Sequence, residues 1–209
     1  MLSEPVPRLS VRARPGGVSA VALVLHGGRE HSRARASSRQ PAALRMAPFA
    51  WTLAADGRRH GLAVWTLGYR FRGWNGADAS PVADACWALE RVAAAHPGVP
   101  VVLVGHSMGA RTALRVAGAE QVRGVAALGA WVPRDEPVGQ LAGRRVLFVH
   151  GTGDRTTPIS GARRYAARAR EVADVRFVEV PGEGHAMLRR PGLWHRAVSA
   201  FALSCVAAG

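Results

Sequence analysis

The segment Val101–Ala110 constrains the fold more than any other part of the chain. Four apolar residues, mostly β-branched, lead into Gly-His-Ser-Met-Gly, and a helix-forming stretch follows. A strand, a tight turn and a helix in that order are typical of a nucleophile elbow, which exposes a serine hydroxyl at the carboxyl edge of a sheet. Gly105 and Gly109 lack a Cβ, so strand and helix can approach closely. We predict that Ser107 is a nucleophile; the alternative is a glycine-rich turn with a surface serine.

Length and composition are those of a globular protein. The chain has 209 residues, and we expect one domain over 1–209, with 1–17 as a short N-terminal extension or edge strand. No apolar run reaches the roughly 18 residues of a membrane span, and the N-terminus does not resemble a signal peptide. Cys86 and Cys205 lie far apart in apolar helical patterns, so we expect reduced thiols and a cytoplasmic protein. No cysteine–histidine cluster has metal-ligand spacing, so we expect no metal and no other cofactor.

The net charge of +14 would suit a nucleic-acid-binding protein. All 28 basic residues are arginine, however, and they are spread along the chain. The densest segment, 29–39, contains no aromatic side chains on which bases could stack. We therefore expect no nucleic-acid partner, although the charge still favours anionic substrates or surfaces.

Strand-like and helix-like segments alternate along the chain. The strand-like segments are nearly continuous apolar runs, which is typical of strands buried on both faces; they cover 19–25, 62–67, 101–104, 125–131, 146–149 and 175–180, with a weaker edge strand at 9–13. The helix-like segments cover 48–59, 82–93, 108–117, 159–171 and 193–205. This pattern predicts an α/β fold with a mostly parallel central sheet flanked by helices on both faces. Ligands bind such sheets beyond the carboxyl ends of the strands.

A candidate base, His185, follows the last predicted strand within Gly-Glu-Gly-His. Imidazole ionises near neutral pH, so it can accept and return a proton. The alternative is a surface-loop histidine. His106 and His26 also lie near the predicted site, but we expect the side chain of His106 to point elsewhere and His26 to hold its loop by hydrogen bonds.

A candidate acid, Asp154, lies a few residues beyond the preceding strand. A buried carboxylate there would orient the imidazole of His185 and stabilise its charged form. The alternative is an aspartate that caps the helix starting near Pro158. Asp135 and Glu183 are rival acids in less suitable positions.

Two backbone N–H groups are candidates for stabilising a developing oxyanion. Met108 follows the nucleophile at the start of a helix, and Gly28 follows the first long strand in His-Gly-Gly. Arg29 is the alternative second donor.

Together these motifs resemble the α/β-hydrolase superfamily over about residues 18–206. The residues that carry the resemblance are Gly105–Gly109, His26–Gly28, Asp154 with Gly151 and Pro158, and His185 with Gly184. The resemblance implies that Ser107 attacks an ester-like carbonyl to form an acyl-enzyme, which water hydrolyses. It implies that His185 moves the proton, that Asp154 orients it, and that Met108 and Gly28 hold the oxyanion.

Two departures from full-size members affect the expected substrate. We expect the first strands to be missing or reduced, because the strand before His26 begins near residue 19, and the short segment 132–145 leaves little room for a lid. An open site favours a small acyl substrate such as a simple ester, a thioester or a lysophospholipid-like molecule. We expect a serine hydrolase, specifically a carboxylesterase, thioesterase or lysophospholipase-like enzyme. A non-catalytic partner-binding protein of this fold, an acyltransferase and a perhydrolase remain alternatives, and the oligomeric state is open.

Four further residues could bind an anionic group of the substrate. Arg70, Arg72 and Trp74 lie in a loop beyond a strand end, and Arg29 lies beyond another. An arginine beside an aromatic ring can bind a carboxylate or phosphate. The alternative is a solvated glycine-rich loop whose Trp74 packs against the domain.

Overall fold

The computed structural model describes residues 5–12 and 17–206. Within this part of the chain, seven strands form one sheet in the order β1-β3-β2-β4-β5-β6-β7. Strand β1 is antiparallel to β3, and all other neighbouring pairs are parallel. The strands are β1 Arg8–Arg12, β2 Ala20–Leu25, β3 Leu62–Gly68, β4 Val101–His106, β5 Val122–Leu128, β6 Arg145–Gly151 and β7 Asp174–Val180.

Helices cover both faces of the sheet. Helices α2 and α6 pack on one face, whereas α3, α4 and α5 pack on the other. The helices are α1 Pro41–Leu44, α2 Ala47–Asp56, α3 Ser80–Ala95, α4 Met108–Val116, α5 Ile159–Ala169 and α6 Pro191–Val206, with 3₁₀ turns at Gly57–His60, Gly76–Asp78 and Gly139–Leu141. The predicted fold class, a mostly parallel sheet with helices on both faces, is confirmed.

The strand interiors explain why the sheet needs both layers. All six residues of β2 and all six of β4 are buried. Successive side chains point to opposite faces, so Leu23 and Leu103 join one apolar cluster while Ala22 and Val102 join the other. Strands buried on both faces must be covered on both, which is why their sequences are apolar without alternation.

The main difference from the sequence prediction is in β5. The expected strand over 125–131 instead covers Val122–Leu128, because Gly129 has a φ of 47° and ends the extended backbone. The edge strand expected at 9–13 is confirmed over Arg8–Arg12, and position 13 lies outside the described residues, as do parts of 1–17. No described helix is long and apolar enough to cross a membrane.

The parallel arrangement determines where the site lies. The carboxyl ends of β2, β4, β5 and β6 meet at one edge of the sheet. The segments that follow these strands begin with His26, Ser107, Gly129 and Thr152. The loop after β7, which carries His185, meets the same edge.

Candidate active site

Ser107 lies in the sharp turn between β4 and α4. Its φ of 56° and ψ of −116° place a non-glycine residue in a region that L-amino acids rarely adopt. The turn is held on both sides: the Ser107 N–H donates to the carbonyl of Leu128 at 2.9 Å, and the Ser107 carbonyl accepts from the N–H of Ala110 at 3.1 Å. Backbone strain of this kind costs of the order of 1–3 kcal/mol and persists only where the surrounding structure imposes it.

Two glycines make the turn sterically possible. A Cβ on Gly105 would overlap the backbone of Gly109, and a Cβ on Gly109 would overlap the backbone carbonyl of Leu25. Strand β4, helix α4 and the end of β2 are therefore closer together than side chains at these positions would allow. This close approach places Ser107 beside the loop that follows β2.

Asp154 and His185 are paired next to this turn. Asp154 Oδ2 lies 2.7 Å from His185 Nδ1, and the Asp154 side chain is almost fully buried. Thr157 Oγ1 donates to the same carboxylate oxygen at 2.8 Å, while the N–H groups of Thr156 and Thr157 donate to Oδ1 at 2.9 Å. The carboxylate therefore has several fixed donors besides the imidazole.

Those donors determine the ionisation of Asp154. Burial alone would raise the pKa of this carboxyl, but hydrogen bonds from His150, His185 and the Thr157 N–H outweigh it and hold the pKa far below its ordinary value. Asp154 is consequently an anion at any pH at which the protein works. With Nδ1 of His185 bonded to that anion, Nε2 is the nitrogen left to exchange a proton with another group.

The Ser107 hydroxyl makes no hydrogen bond to any described residue. Its side chain is nevertheless close to the loop after β2, because a Cβ on Gly27 would lie 3.4 Å from Ser107 Cβ. Hydrogen bonds between catalytic groups are often long or absent without substrate and tighten when substrate binds. The Asp154–His185 contact is thus already formed, whereas no hydrogen bond joins Ser107 to His185 in the described residues.

His106 lies against His185, so the prediction that its side chain points away from the site is wrong. The His106 Nε2–H donates to the carbonyl of His185 at 3.0 Å, and the two ring centroids are 4.6 Å apart. The motif around Ser107 could not predict this contact, because the contact joins residues that are 79 positions apart.

The two candidate oxyanion donors are also close together. A Cβ on Gly28 would overlap the side chain of Met108, so the loop after β2 lies directly against the start of α4. The Gly28 N–H donates to no described residue, whereas the Arg29 N–H donates to the carbonyl of Arg72 at 2.8 Å. Of the two expected alternatives, Gly28 has the N–H that remains available.

His26 sets the orientation of the Gly28 N–H. The buried His26 ring donates from Nδ1 to the carbonyl of Gly27 at 2.7 Å. In a trans peptide the carbonyl and the following N–H point in opposite directions. Holding the Gly27 carbonyl on one side therefore directs the Gly28 N–H to the other, as expected for a histidine that holds its loop.

The loop that carries His185 is fixed by Glu183, which the sequence suggested only as a rival acid, and by Arg45, which the sequence did not indicate. The buried carboxylate of Glu183 accepts from the N–H groups of Gly184, Arg189 and Arg190, and the Arg45 guanidinium donates to the carbonyl of Ala186. Burial would raise the pKa of Glu183, but these backbone donors lower it. Glu183 therefore stabilises the loop rather than pairing with His185.

The four residues expected to bind a substrate anion have different environments. Arg70 donates from Nε to Asp84 Oδ1 at 2.5 Å, so its charge is balanced within the fold. Trp74 is buried, and the guanidinium of Arg111 lies 3.8 Å from its ring centroid. Arg29 and Arg72 are exposed. The described residues contain no group of three or more ligating side chains that could hold a metal ion.

Comparisons with known proteins agree with this fold. The sequence profile of the family described as "Serine aminopeptidase, S33" matches residues 16–143, more than half of the chain, and that of the family described as "TAP-like protein" matches 115–201. A search of curated protein sequences gives no match.

Several solved structures share the fold at low identity. An alpha-beta serine hydrolase homologue from Coxiella burnetii has a TM-score of 0.70 and 18% identity, and the match covers 93% of this chain and 91% of that one. A monoacylglycerol lipase from Paleococcus ferrophilus has a TM-score of 0.69 and 17% identity over 95% and 99%. Est1E from Butyrivibrio proteoclasticus has a TM-score of 0.70 and 15% identity over 96% and 95%. Together with the matched family profile, they establish that this chain is a member of the α/β-hydrolase superfamily, in the family described as serine aminopeptidase S33.

Proposed function

We propose that this protein is a serine hydrolase that cleaves a carboxylic ester or thioester through an acyl-enzyme on Ser107. The observation that carries the proposal is the strained backbone of Ser107 at the carboxyl edge of the sheet, next to the Asp154–His185 pair. A strained nucleophile turn beside a paired imidazole and carboxylate is the arrangement that activates a serine hydroxyl.

In the first half-reaction, His185 Nε2 accepts the hydroxyl proton as Ser107 Oγ attacks the substrate carbonyl carbon. The N–H groups of Met108 and Gly28 hold the resulting oxyanion. The intermediate collapses, the carbon–oxygen or carbon–sulfur bond to the leaving group breaks, and His185 gives its proton to that group. Asp154 remains ionised and stabilises the imidazolium throughout.

In the second half-reaction, a water molecule replaces the alcohol or thiol. It gives a proton to His185 as its oxygen attacks the acyl carbon, and the proton then returns to Ser107 Oγ as the acid leaves. An acceptor other than water would give acyl transfer, and hydrogen peroxide would give a peracid. Product analysis with competing alcohols separates these alternatives from hydrolysis.

The short segment between β5 and β6 and the net charge of +14 favour some classes of substrate over others. The segment that joins β5 to β6, residues 129–144, is short and contains only a 3₁₀ turn, which leaves little room there for a lid over Ser107. A small or extended acyl substrate can therefore reach the nucleophile. The family description also raises aminopeptidase activity, but a free α-amino group is cationic, and the net charge of +14 disfavours its approach.

A fluorophosphonate probe tests the proposal directly. We expect it to label the wild-type protein at Ser107, not to label Ser107→Ala, and to label Ser204→Ala, whose exposed serine lies on α6, like the wild type. p-Nitrophenyl esters of graded length, acyl-CoA thioesters and an aminoacyl anilide then identify the substrate class. A folded wild-type protein that is neither labelled nor active would instead support a non-catalytic, partner-binding role.

A further inference from the structure

A cavity of about 490 Å³ lies between the edge strand β1 and helices α1 and α2. Its described lining residues include none of Ser107, Met108, Asp154 and His185, so it is separate from the candidate active site. The volume is within the range of small-molecule sites. We propose that this cavity binds an elongated amphiphile with a terminal carboxylate, that is, a medium- or long-chain fatty acid.

The register of β1 explains why a cavity forms at this edge. Ser10 pairs with Thr66 and Arg12 with Val64, and opposed residues of an antiparallel pair point to the same face of the sheet. Val64 belongs to the apolar cluster under α2, so Arg8, Ser10 and Arg12 also face the α2 side. Strand β1 therefore presents polar residues where the inner strands present apolar ones.

One wall of the cavity is apolar and partly open to water. Ala47 and Ala50 of α2 line it together with Leu44 of α1 and the aromatic ring of Trp51. Leu44 and Trp51 are each 56% exposed, and Val6, on the opposite wall, is 68% exposed. Large apolar side chains grouped around one opening mark a binding surface, and an alkyl chain that covered them would remove this area from water.

The opposite wall is basic. Arg8 and Arg12 are exposed, and neither forms an ion pair with a described residue. Arg70 also lines the cavity, but Asp84 balances its charge. None of the described lining residues is acidic. A carboxylate would gain charge-assisted hydrogen bonds from an arginine here, which a neutral or cationic head group would not.

The inner end of the cavity touches the back of the candidate oxyanion loop. His26 lines the cavity, and its Nδ1 donates to the carbonyl of Gly27. An occupant against this ring is one side chain away from the peptide that carries the Gly28 N–H. If the proposed hydrolase activity holds, we therefore expect occupancy of the cavity to change the kcat of ester hydrolysis more than its KM. The proposal that the cavity binds a fatty acid does not itself depend on that activity.

Isothermal titration calorimetry with decanoate below its micelle concentration tests the proposal. We expect one saturable site on the wild type and a loss of at least about tenfold in affinity in Arg8→Glu/Arg12→Glu, because two attractive charges become repulsive. Arg58→Glu/Arg59→Glu changes the net charge equally at exposed positions outside the cavity, so it should bind like the wild type. Butyrate lacks the chain and decyltrimethylammonium has the opposite charge, so both should bind much more weakly.

Ala47→Trp provides a steric test that leaves the arginines in place, and circular dichroism verifies the folding of each variant. Filling the cavity should abolish decanoate binding while ester hydrolysis persists. Equal affinity in both charge variants would overturn the proposal, as would tight binding of decyltrimethylammonium. Binding that survives Ala47→Trp but disappears when Ser107 is blocked covalently would place decanoate in the active site and would equally overturn it.

Discussion

His106 lies beneath His185, with its Nε2 3.0 Å from the carbonyl oxygen of His185 and its ring tilted by 39° to the imidazole above. The hydrogen bond holds the backbone of His185 and leaves its ring to pair with Asp154. Because Nε2 donates, Nδ1 of His106 carries no proton, and it is buried without a partner among the described residues. His106 is therefore a neutral positioning residue of the site.

This relationship predicts how stability depends on pH. Burial first, and then the neighbouring charge of His185, lower the pKa of His106 from 6.5 to about 3. The unfolded chain takes up this proton near pH 6.5, whereas the folded chain does not until about pH 3, so the contribution is complete above pH 6.5 and is lost as the pH falls toward 3. The Tm should fall as the pH is lowered from 7 to 4, and it should fall less steeply in His106→Phe; thermal melts followed by circular dichroism measure both slopes.

The control for this prediction is His60→Phe, at an exposed position in the turn after α2. It should keep the wild-type slope of Tm against pH. His26 is also buried with a lowered pKa, so the slope in His106→Phe should decrease without disappearing. Parallel slopes in the wild type and His106→Phe would contradict the prediction.

A second prediction distinguishes the candidate acids. Asp154→Asn keeps the shape of the side chain but removes the charge that orients His185, so we expect kcat for p-nitrophenyl acetate to fall by about 10⁴-fold, the effect known for the equivalent change in serine proteases. Asp135→Asn, at the exposed rival position, should retain wild-type kcat. Similar losses of kcat in the two variants would show that Asp154 has no special role.

The general location of the site could be predicted because its signals are local. Gly-His-Ser-Met-Gly directly follows an apolar strand, and Asp154 and His185 each lie in a glycine-containing loop after another strand. A parallel sheet brings such strand ends to one edge whatever the side chains elsewhere. The edge of the sheet at which these three residues lie therefore follows from the parallel arrangement of the strands.

The supporting contacts could not be predicted because they join distant residues. Arg45 reaches the carbonyl of Ala186 across 141 positions, from a segment without regular hydrophobic periodicity. The end of β5 was misplaced because the residues after Gly129 are as apolar as those before it. A continuous apolar run shows that a strand is buried but not where its backbone turns.

A third prediction concerns the elbow. Gly105→Ala would force a Cβ into the backbone of Gly109, and overpacking of this kind typically costs about 1–3 kcal/mol. We expect a corresponding loss in the free energy of unfolding, measured by urea denaturation. We also expect kcat to fall, because Ser107 is displaced. Gly139→Ala is the matched control, since its Cβ would meet no atom within 4 Å. Wild-type stability in Gly105→Ala would contradict this account of the turn.

A fourth prediction concerns the connection between α4 and the segment after β5. The fully buried carboxylate of Glu136 accepts from Arg111 Nε at 2.5 Å and from Arg115, while the Arg111 guanidinium lies against the rings of both Trp74 and Trp131. Removing the partner of a buried charge costs about 3–5 kcal/mol. Glu136→Gln should therefore lower the free energy of unfolding by about 3 kcal/mol.

Urea denaturation of Glu136→Gln beside Glu120→Gln measures this effect, because Glu120 is exposed and serves as the control. Burial lowers the pKa of Arg111 and the charge of Glu136 opposes that shift, so Arg111 remains positively charged and needs its partner. Equal stability of the two variants would show that the pair contributes no net free energy.

The last prediction separates two arginines of one loop. Arg70 is paired with the buried Asp84, so Arg70→Ala should lower the Tm and leave the ratio of KM values for anionic and neutral esters unchanged. Arg72 is exposed near the candidate oxyanion loop, where its carbonyl accepts from the Arg29 N–H. Arg72→Ala removes only an exposed hydrogen bond from Nε to the carbonyl of Arg35, so it should lower the Tm less than Arg70→Ala does. It should raise KM for anionic esters more than for neutral ones, as steady-state kinetics with matched carboxylated and uncharged esters would measure. Equal KM changes for both ester classes in Arg72→Ala would show that this loop does not recognise the charge of the substrate.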